Sequence, residues 1–295
     1  MHAVHKSTDA IGSRIGHMWD QPGWRQRWDA ARRFIAFNLR TRVFRRPTVA
    51  ALGERSRIVA YPGETNSPLA AYDNPPNPHQ MNVWRRHLKP GDLFVDIGAN
   101  VGIYTIYALD LGARVIACEA DARSYQRLLE HLTLNGYEAE TINVAIADRS
   151  GTLKFTRGLD SLNHLVEGED EDGIEVRAST LDDVLGDRHA AGVKIDVEGA
   201  ESLVLAGAAR SLATHQIDVI QFEWNGTELG GRRDDTTPAP DALRQAGYVL
   251  FRPEADGSLL LLEGDVEVHE DQARRDVFAL APTVLYPDRD QPHHR

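Results

Sequence analysis

The apolar run Leu93-Phe94-Val95-Asp96-Ile97 passes directly into Gly98-Ala99-Asn100-Val101-Gly102 and then into the helical pattern of residues 101–111. A run of this length, apolar but for Asp96 and closed by glycine, reads as a strand buried on both faces of a parallel sheet. The glycines allow a tight turn and let the backbone approach a ligand closely. After this unit the chain keeps alternating. Strands are expected at 114–119, 140–147, 193–197 and 218–224, with late strands at 248–251 and 277–280. Helices are expected at 122–134 (closed by Asn135-Gly136), 181–185, 201–212 and 238–246, and a short one at 81–88 precedes the glycine loop. Residues 151–180 are polar and strand-like, and read as a β-hairpin insertion with strands at 152–155 and 174–177. Strands alternating with helices predict an α/β fold, a doubly wound and mostly parallel sheet with helices on both faces.

Ligands of such sheets bind outside the carboxyl ends of the strands. The residues expected there are 96–102, Glu119, 143–145, 196–199 and 223–225. A dinucleotide site wants G-x-G-x-x-G so that the backbone can reach a pyrophosphate. Here Asn100 stands at the second glycine, and no third glycine follows at the required spacing. S-adenosyl-L-methionine (SAM) has no pyrophosphate. It needs an acid near its amino group, a backbone cradle for its carboxylate and a carboxylate for its ribose. Asp96 fits the first, Gly98 to Gly102 the second, and Glu119 the third, about twenty residues beyond the glycines.

Further segments carry a family resemblance: Asn143-Val144-Ala145, Ser179-Thr180-Leu181-Asp182-Asp183, Phe222-Glu223 and, most specific, Val193-Lys194-Ile195-Asp196-Val197-Glu198-Gly199-Ala200-Glu201. With the glycine loop they make residues 58–282 resemble the FkbM family of SAM-dependent methyltransferases. The resemblance implies a class I methyltransferase, Rossmann-like sheet. It implies SAM held by Asp96, Gly98, Ala99, Asn100, Gly102 and Glu119, with Ala120, Asn143 and Ala145 on the adenine side. Ala120 departs from the proline that members often carry there. The implied reaction is O-methylation of a small-molecule acceptor, a hydroxyl of a sugar or secondary metabolite such as a polyketide or glycoside-type natural product.

An alcohol is a weak nucleophile at neutral pH, so a base or a metal is expected beside it. Asp196, at the end of the fourth strand, is the preferred base. Lys194 shares its face of the strand and could orient it or bind the acceptor oxygen. Glu223 ends the adjacent strand. His79 and His164 fall in loops and read as solvated. Asp196, Glu223 and Asn225 are oxygen ligands that would suit Mg²⁺, but their spacing does not demand a metal and none is assigned. Two rival readings stay open: an NAD-dependent oxidoreductase, and a non-catalytic binding protein on a SAM-type fold.

Charge narrows the partners. The chain has net charge −11, yet residues 1–46 hold ten basic and three acidic residues, leaving −18 for the rest. So acidic a main domain argues against a nucleic-acid substrate. The basic, Trp-containing segment is read as a helical extension over 1–55 that packs on the acidic domain or forms a homodimer contact. The methyltransferase domain is read as 56–285, and 286–295 as a loose tail. The single cysteine, Cys118, lies in an apolar run and reads as a core residue. No stretch approaches the apolar length of a membrane span, and no apolar region follows the first residues as in a secretory signal, so a cytoplasmic protein is expected.

Overall fold

The computed structural model describes residues 46–61, 74–156, 173–197, 199–224, 237–264, 266 and 276–286. The expected basic helices before residue 46, the tail after 286, His164, Glu198 and Asn225 lie outside them.

The described chain opens with a hairpin where no strand was expected. β1 (Thr48–Leu52) pairs antiparallel with β2 (Ser56–Ala60). Alternate residues Ala50, Leu52, Ile58 and Ala60 are buried, the period of a half-buried strand, but over runs too short to stand out in the sequence. The turn between them holds the expected junction of extension and domain. Helix α1 (Pro78–His87) follows, starting three residues earlier than expected because Pro78 takes its first position.

The main unit then runs β3 (Leu93–Ile97), α2 (Ile103–Asp110), β4 (Arg114–Cys118), α3 (Ala122–Asn135), β5 (Glu140–Ile142), β6 (Ala145–Ile146), β7 (Gly151–Thr156), β8 (Gly173–Ser179), α4 (Leu181–Leu185) and β9 (Ala190–Ile195). It continues with α5 (Glu201–Ala206), α6 (Ala209–Ala213), β10 (Ile217–Glu223), α7 (Ala239–Gln245), β11 (Val249–Pro253), β12 (Leu259–Leu261), β13 (Asp276–Leu280) and α8 (Pro282–Leu285). Eight strands form one sheet in the order β12-β11-β13-β10-β9-β3-β4-β5. β5, β4, β3, β9 and β10 are mutually parallel, and β13 lies antiparallel between β10 and β11. The strand order reverses beside β3, which is where a ligand crevice opens in sheets of this kind.

Every residue of β3 is buried, because helices cover both faces. Phe94 faces a core with Trp84 of α1, Ile106 of α2 and Leu128 of α3, while Val95 and Ile97 face one with Val204 of α5 and Leu243 of α7. Cys118 belongs to the second core and burial raises its pKa well above the thiol range.

Two expectations need correction, and one strand is new. The expected strand 140–147 is two strands in two sheets. The chain leaves the main sheet at Asn143, and β6 pairs with β8, so the hairpin β7–β8 becomes a separate three-stranded sheet. The expected helix 201–212 breaks into α5 and α6 at Gly207. There the chain presses on the 147–148 backbone so closely that a Cβ would sit 2.0 Å from the Ala147 oxygen. The Gly207 carbonyl turns aside to accept from the Asp182 N–H at 3.0 Å. β12 was not anticipated; it is a three-residue edge strand.

Candidate active site

The loop after β3 is folded by its own backbone. Gly98 and Ala99 both donate to the Cys118 carbonyl at 3.0 Å, and Gly102 donates to Ala99 at 2.8 Å. Gly98 (φ 71°) and Gly102 (φ 87°) lie in the left-handed region. Each also has a neighbour where a side chain would be: Asp196 O at 1.9 Å from a Cβ on Gly98, and Leu128 Cδ1 at 2.4 Å from one on Gly102. Asn100 is left-handed as well (φ 51°), a conformation Asn tolerates better than most residues. Its side-chain oxygen accepts from the Val101 N–H at 2.7 Å.

Two carboxylates flank this cradle. Asp96 is fully buried on β3; Oδ2 accepts from Thr105 Oγ1 of α2 at 2.6 Å, and Oδ1 has no hydrogen-bond partner. Burial raises its pKa, with Lys194 and Thr105 opposing. Glu119, just beyond β4, is also buried. Its Oε2 accepts from the Asn100 N–H and its Oε1 from the Asp121 N–H, both at 2.7 Å. Burial pushes its pKa up to about 7. Asn143 is exposed and donates to the carbonyls of Glu119 (2.7 Å) and Ala120 (3.1 Å), bracing that loop, while Ala145 is buried in β6. A buried carboxylate oxygen without a hydrogen-bond partner, beside a cradle that a Cβ would fill, fits an amino-acid head group. Glu119, in hydrogen-bond reach of the same loop, fits a ribose.

A polar row crosses the sheet beside the cradle. Strand pairing sets Asp96, Lys194 and Gln221 abreast, with Glu223 opposite Asp276 one pleat further on. The Lys194 ammonium is 3.0 Å from Asp196 Oδ2, 3.8 Å from Asp96 Oδ1 and 4.6 Å from the centre of the Tyr104 ring. Its side chain is 6% exposed, that of Asp196 41%. Burial alone would lower the Lys194 pKa, but Asp196 and Asp96 more than reverse this, so the ammonium stays charged far above neutral pH. Gln221 donates to Asp276 at 2.6 Å and accepts from the Trp84 indole at 2.5 Å; Gln80 donates to the other Asp276 oxygen at 2.7 Å. Burial raises the Asp276 pKa to about 6.

The structure thus gathers Asp96, Lys194 and Asp196 into one cluster, with Glu223 at its edge. His79 lies on α1, in the first turn. Thr105, Tyr104, Gln221, Asp276 and Glu201 were not singled out as site residues. Thr105 sits nine positions after Asp96, one strand-to-helix turn away, which the sequence could have suggested. Asp276 lies some fifty residues from Glu223 in sequence and meets it only through the antiparallel pairing. Glu201 opens α5 and is buried; its Oε1 accepts from Val197 (3.2 Å) and Gly199 (3.3 Å), and burial pushes its pKa up to about 8. Among the described residues no group of three or more His, Cys, Asp or Glu is arranged to hold a metal ion. Among the same residues no helix is long and apolar enough to cross a membrane.

A doubly wound sheet whose strand order reverses beside β3, with Asn100 where a dinucleotide site needs glycine, fits the SAM-dependent methyltransferases. It belongs to the FkbM methyltransferase family, whose domain matches residues 96–250. The oxidoreductase reading therefore falls. No curated protein matches by sequence. Solved structures are similar in chain path. A TehB-like SAM-dependent methyltransferase from Corynebacterium glutamicum is 13% identical over 72% of this chain and 90% of its own, with TM-score 0.39. A precorrin-6y C5,15-methyltransferase from Geobacter metallireducens is 13% identical over 74% and 94%, with TM-score 0.40. The 16S rRNA N2 G1207 methyltransferase of T. thermophilus, in complex with AdoMet and guanosine, is 15% identical over 80% and 50%, with TM-score 0.44. What each of these methylates is a property of that protein.

Proposed function

We propose that the protein transfers a methyl group from SAM to a hydroxyl of a small neutral acceptor, a sugar or hydroxylated secondary metabolite, with Asp196 as the base. The observation that carries this reading is the pairing of a half-exposed carboxylate, Asp196, with a buried, charged ammonium, Lys194, at the strand end beside the cofactor cradle.

When bound, SAM supplies an electrophilic methyl on a sulfonium. The cradle of residues 98–102 and Glu119 would hold it, and Asp96 Oδ1 would take its ammonium. Asp196 would accept the acceptor's hydroxyl proton at a carboxylate oxygen as the oxygen gains its new carbon bond, since an alkylated, still protonated oxygen is strongly acidic. Lys194 cannot be that base, being held protonated, and it is too buried to present itself to the acceptor. Its 3.0 Å contact with Asp196 Oδ2 aims that carboxylate. Holding an oxygen in line is itself a large part of the rate enhancement for such a transfer. Glu223, one strand away, lines the acceptor side.

The test is transfer of labelled methyl from SAM into a panel of hydroxylated sugars and polyketide-type alcohols, with and without Mg²⁺, followed by mass spectrometry of the product. A methyl ether, lost in Asp196→Asn, supports the reading. Methylation confined to amines, carboxylates or RNA would remove the hydroxyl acceptor and leave the cofactor assignment standing.

A further inference from the structure

We infer that His131 is a positioning residue for the cofactor: it fixes the carbonyl at the end of the SAM cradle and ties that cradle to the N-terminal hairpin. His131 lies in α3, wholly buried, outside every motif that marks the cofactor site. Its Nδ1 is 2.7 Å from the Val101 carbonyl, the residue before Gly102. A carbonyl only accepts, so Nδ1 carries the proton. In the neutral ring Nε2 is then an acceptor, and the Val59 N–H of β2 donates to it at 3.0 Å; the Val59 carbonyl is further away, at 3.3 Å.

The same face of α3 supports the cradle a second time. Leu128, one turn earlier, fills the space beside Gly102 that a side chain would need. One turn later, Asn135 exchanges two hydrogen bonds of 2.7 Å with the backbone of Arg57 in β2. Helix α3 is therefore clamped between the hairpin and the cofactor loop. Asn135 hydrogen-bonds the hairpin and the His131 carbonyl (2.7 Å), Leu128 fills space beside the loop, and His131 bonds both loop and hairpin. The Val101 carbonyl is buried, and without the imidazole it loses its side-chain donor; the loop must then turn it elsewhere, and with it the N–H groups that face the cofactor's carboxylate.

The experiment is titration calorimetry of the full chain with S-adenosyl-L-homocysteine, paired with thermal melts, for four variants. Asparagine can place its amide nitrogen near the position of Nδ1, and glutamine near that of Nε2. His131→Ala is expected to weaken binding about tenfold, the effect of one lost buried hydrogen bond. His131→Asn should recover most of that loss and His131→Gln little of it. Asn135→Ala should lower the melting temperature while leaving the affinity within twofold of the parent. If His131→Ala fails to fold, the Asn and Gln pair decides. Equal affinities for those two, or an unchanged affinity in His131→Ala, would overturn the inference and leave His131 a core residue. A parent protein that does not bind the probe at all would instead strike at the cofactor site itself.

Discussion

The Lys194 ammonium stands 3.0 Å from Asp196 Oδ2, and the two side chains share one face of the sheet although one is buried and the other half-exposed. On its other side Lys194 faces Asp96 at 3.8 Å. One cation thus stands between two carboxylates, and if the proposed roles hold, variants of Asp196 and Lys194 should fail differently.

On the proposed mechanism, Asp196→Asn removes the proton acceptor and keeps the shape. Turnover should fall by roughly 10² to 10⁴, the usual span for a general base, while the affinity for S-adenosyl-L-homocysteine stays within a factor of two. Lys194→Met should lower turnover as well, and also stability, by about 3 kcal/mol, because it leaves Asp96 buried without its counter-charge. Denaturant melts separate the two variants; equal stability losses would refute the division of roles.

Glu119, as the expected ribose ligand, should make cofactor binding pH-dependent. Ribose hydroxyls donate to a carboxylate, so binding favours the ionised form, whereas burial holds the free protein's Glu119 at about 7. Affinity should therefore weaken as pH falls below 7, by up to about tenfold per unit. Folding runs the other way. The raised pKa means the folded chain keeps a proton that the unfolded chain has released, so the contribution of Glu119 to stability falls as pH rises from 4.5 to 7. Calorimetric titrations at pH 6 and pH 8 read the first effect, and Glu119→Gln should flatten it.

Gly98→Ala should abolish cofactor binding. A Cβ there would lie 1.9 Å from the Asp196 carbonyl, which is backbone and cannot swing away, and φ 71° is unfavourable for alanine. The loop would have to move off the strand end that carries Asp196. A protein that folds but gives no calorimetric signal with S-adenosyl-L-homocysteine is the expected result; near-normal affinity would show that the contact relaxes cheaply.

Asp182, part of the family-like segment at 179–183, has its carboxylate engaged by the backbone of a neighbouring helix. Its carboxylate accepts from the N–H groups of Arg210 and Ser211, both at 2.9 Å, and so caps α6 from another helix. Asp182→Ala should cost about 1–2 kcal/mol in a urea melt, the range for a lost cap, with cofactor affinity unchanged. A large loss of affinity would give the segment a role in the site.

The strands and helices that carry long apolar periods were legible: β3, β4, β9, β10, α3 and α7 lie close to where the sequence put them. So was the class of cofactor, because the glycine loop is a local feature of one βα turn. The short pieces were not. β1, β2 and β12 have only three to five residues, too few for alternation to rise above chance. The break at Gly207 depends on a carbonyl of Ala147, sixty residues away, and the split between β5 and β6 on Asn143 bracing the loop after β4.

The sequence alone determined the alternating sheet, the class of cofactor and the acids that stand at the strand ends, since each follows from residue type and spacing along one stretch of chain. Only the tertiary structure decided how these groups share charge: that Lys194 is buried between two carboxylates, that Gln221 and Asp276 extend the polar row, and that His131 joins the hairpin to the cofactor loop. Those relations arise from strand order and helix packing, which bring together residues far apart in the chain, and burial then sets their electrostatics.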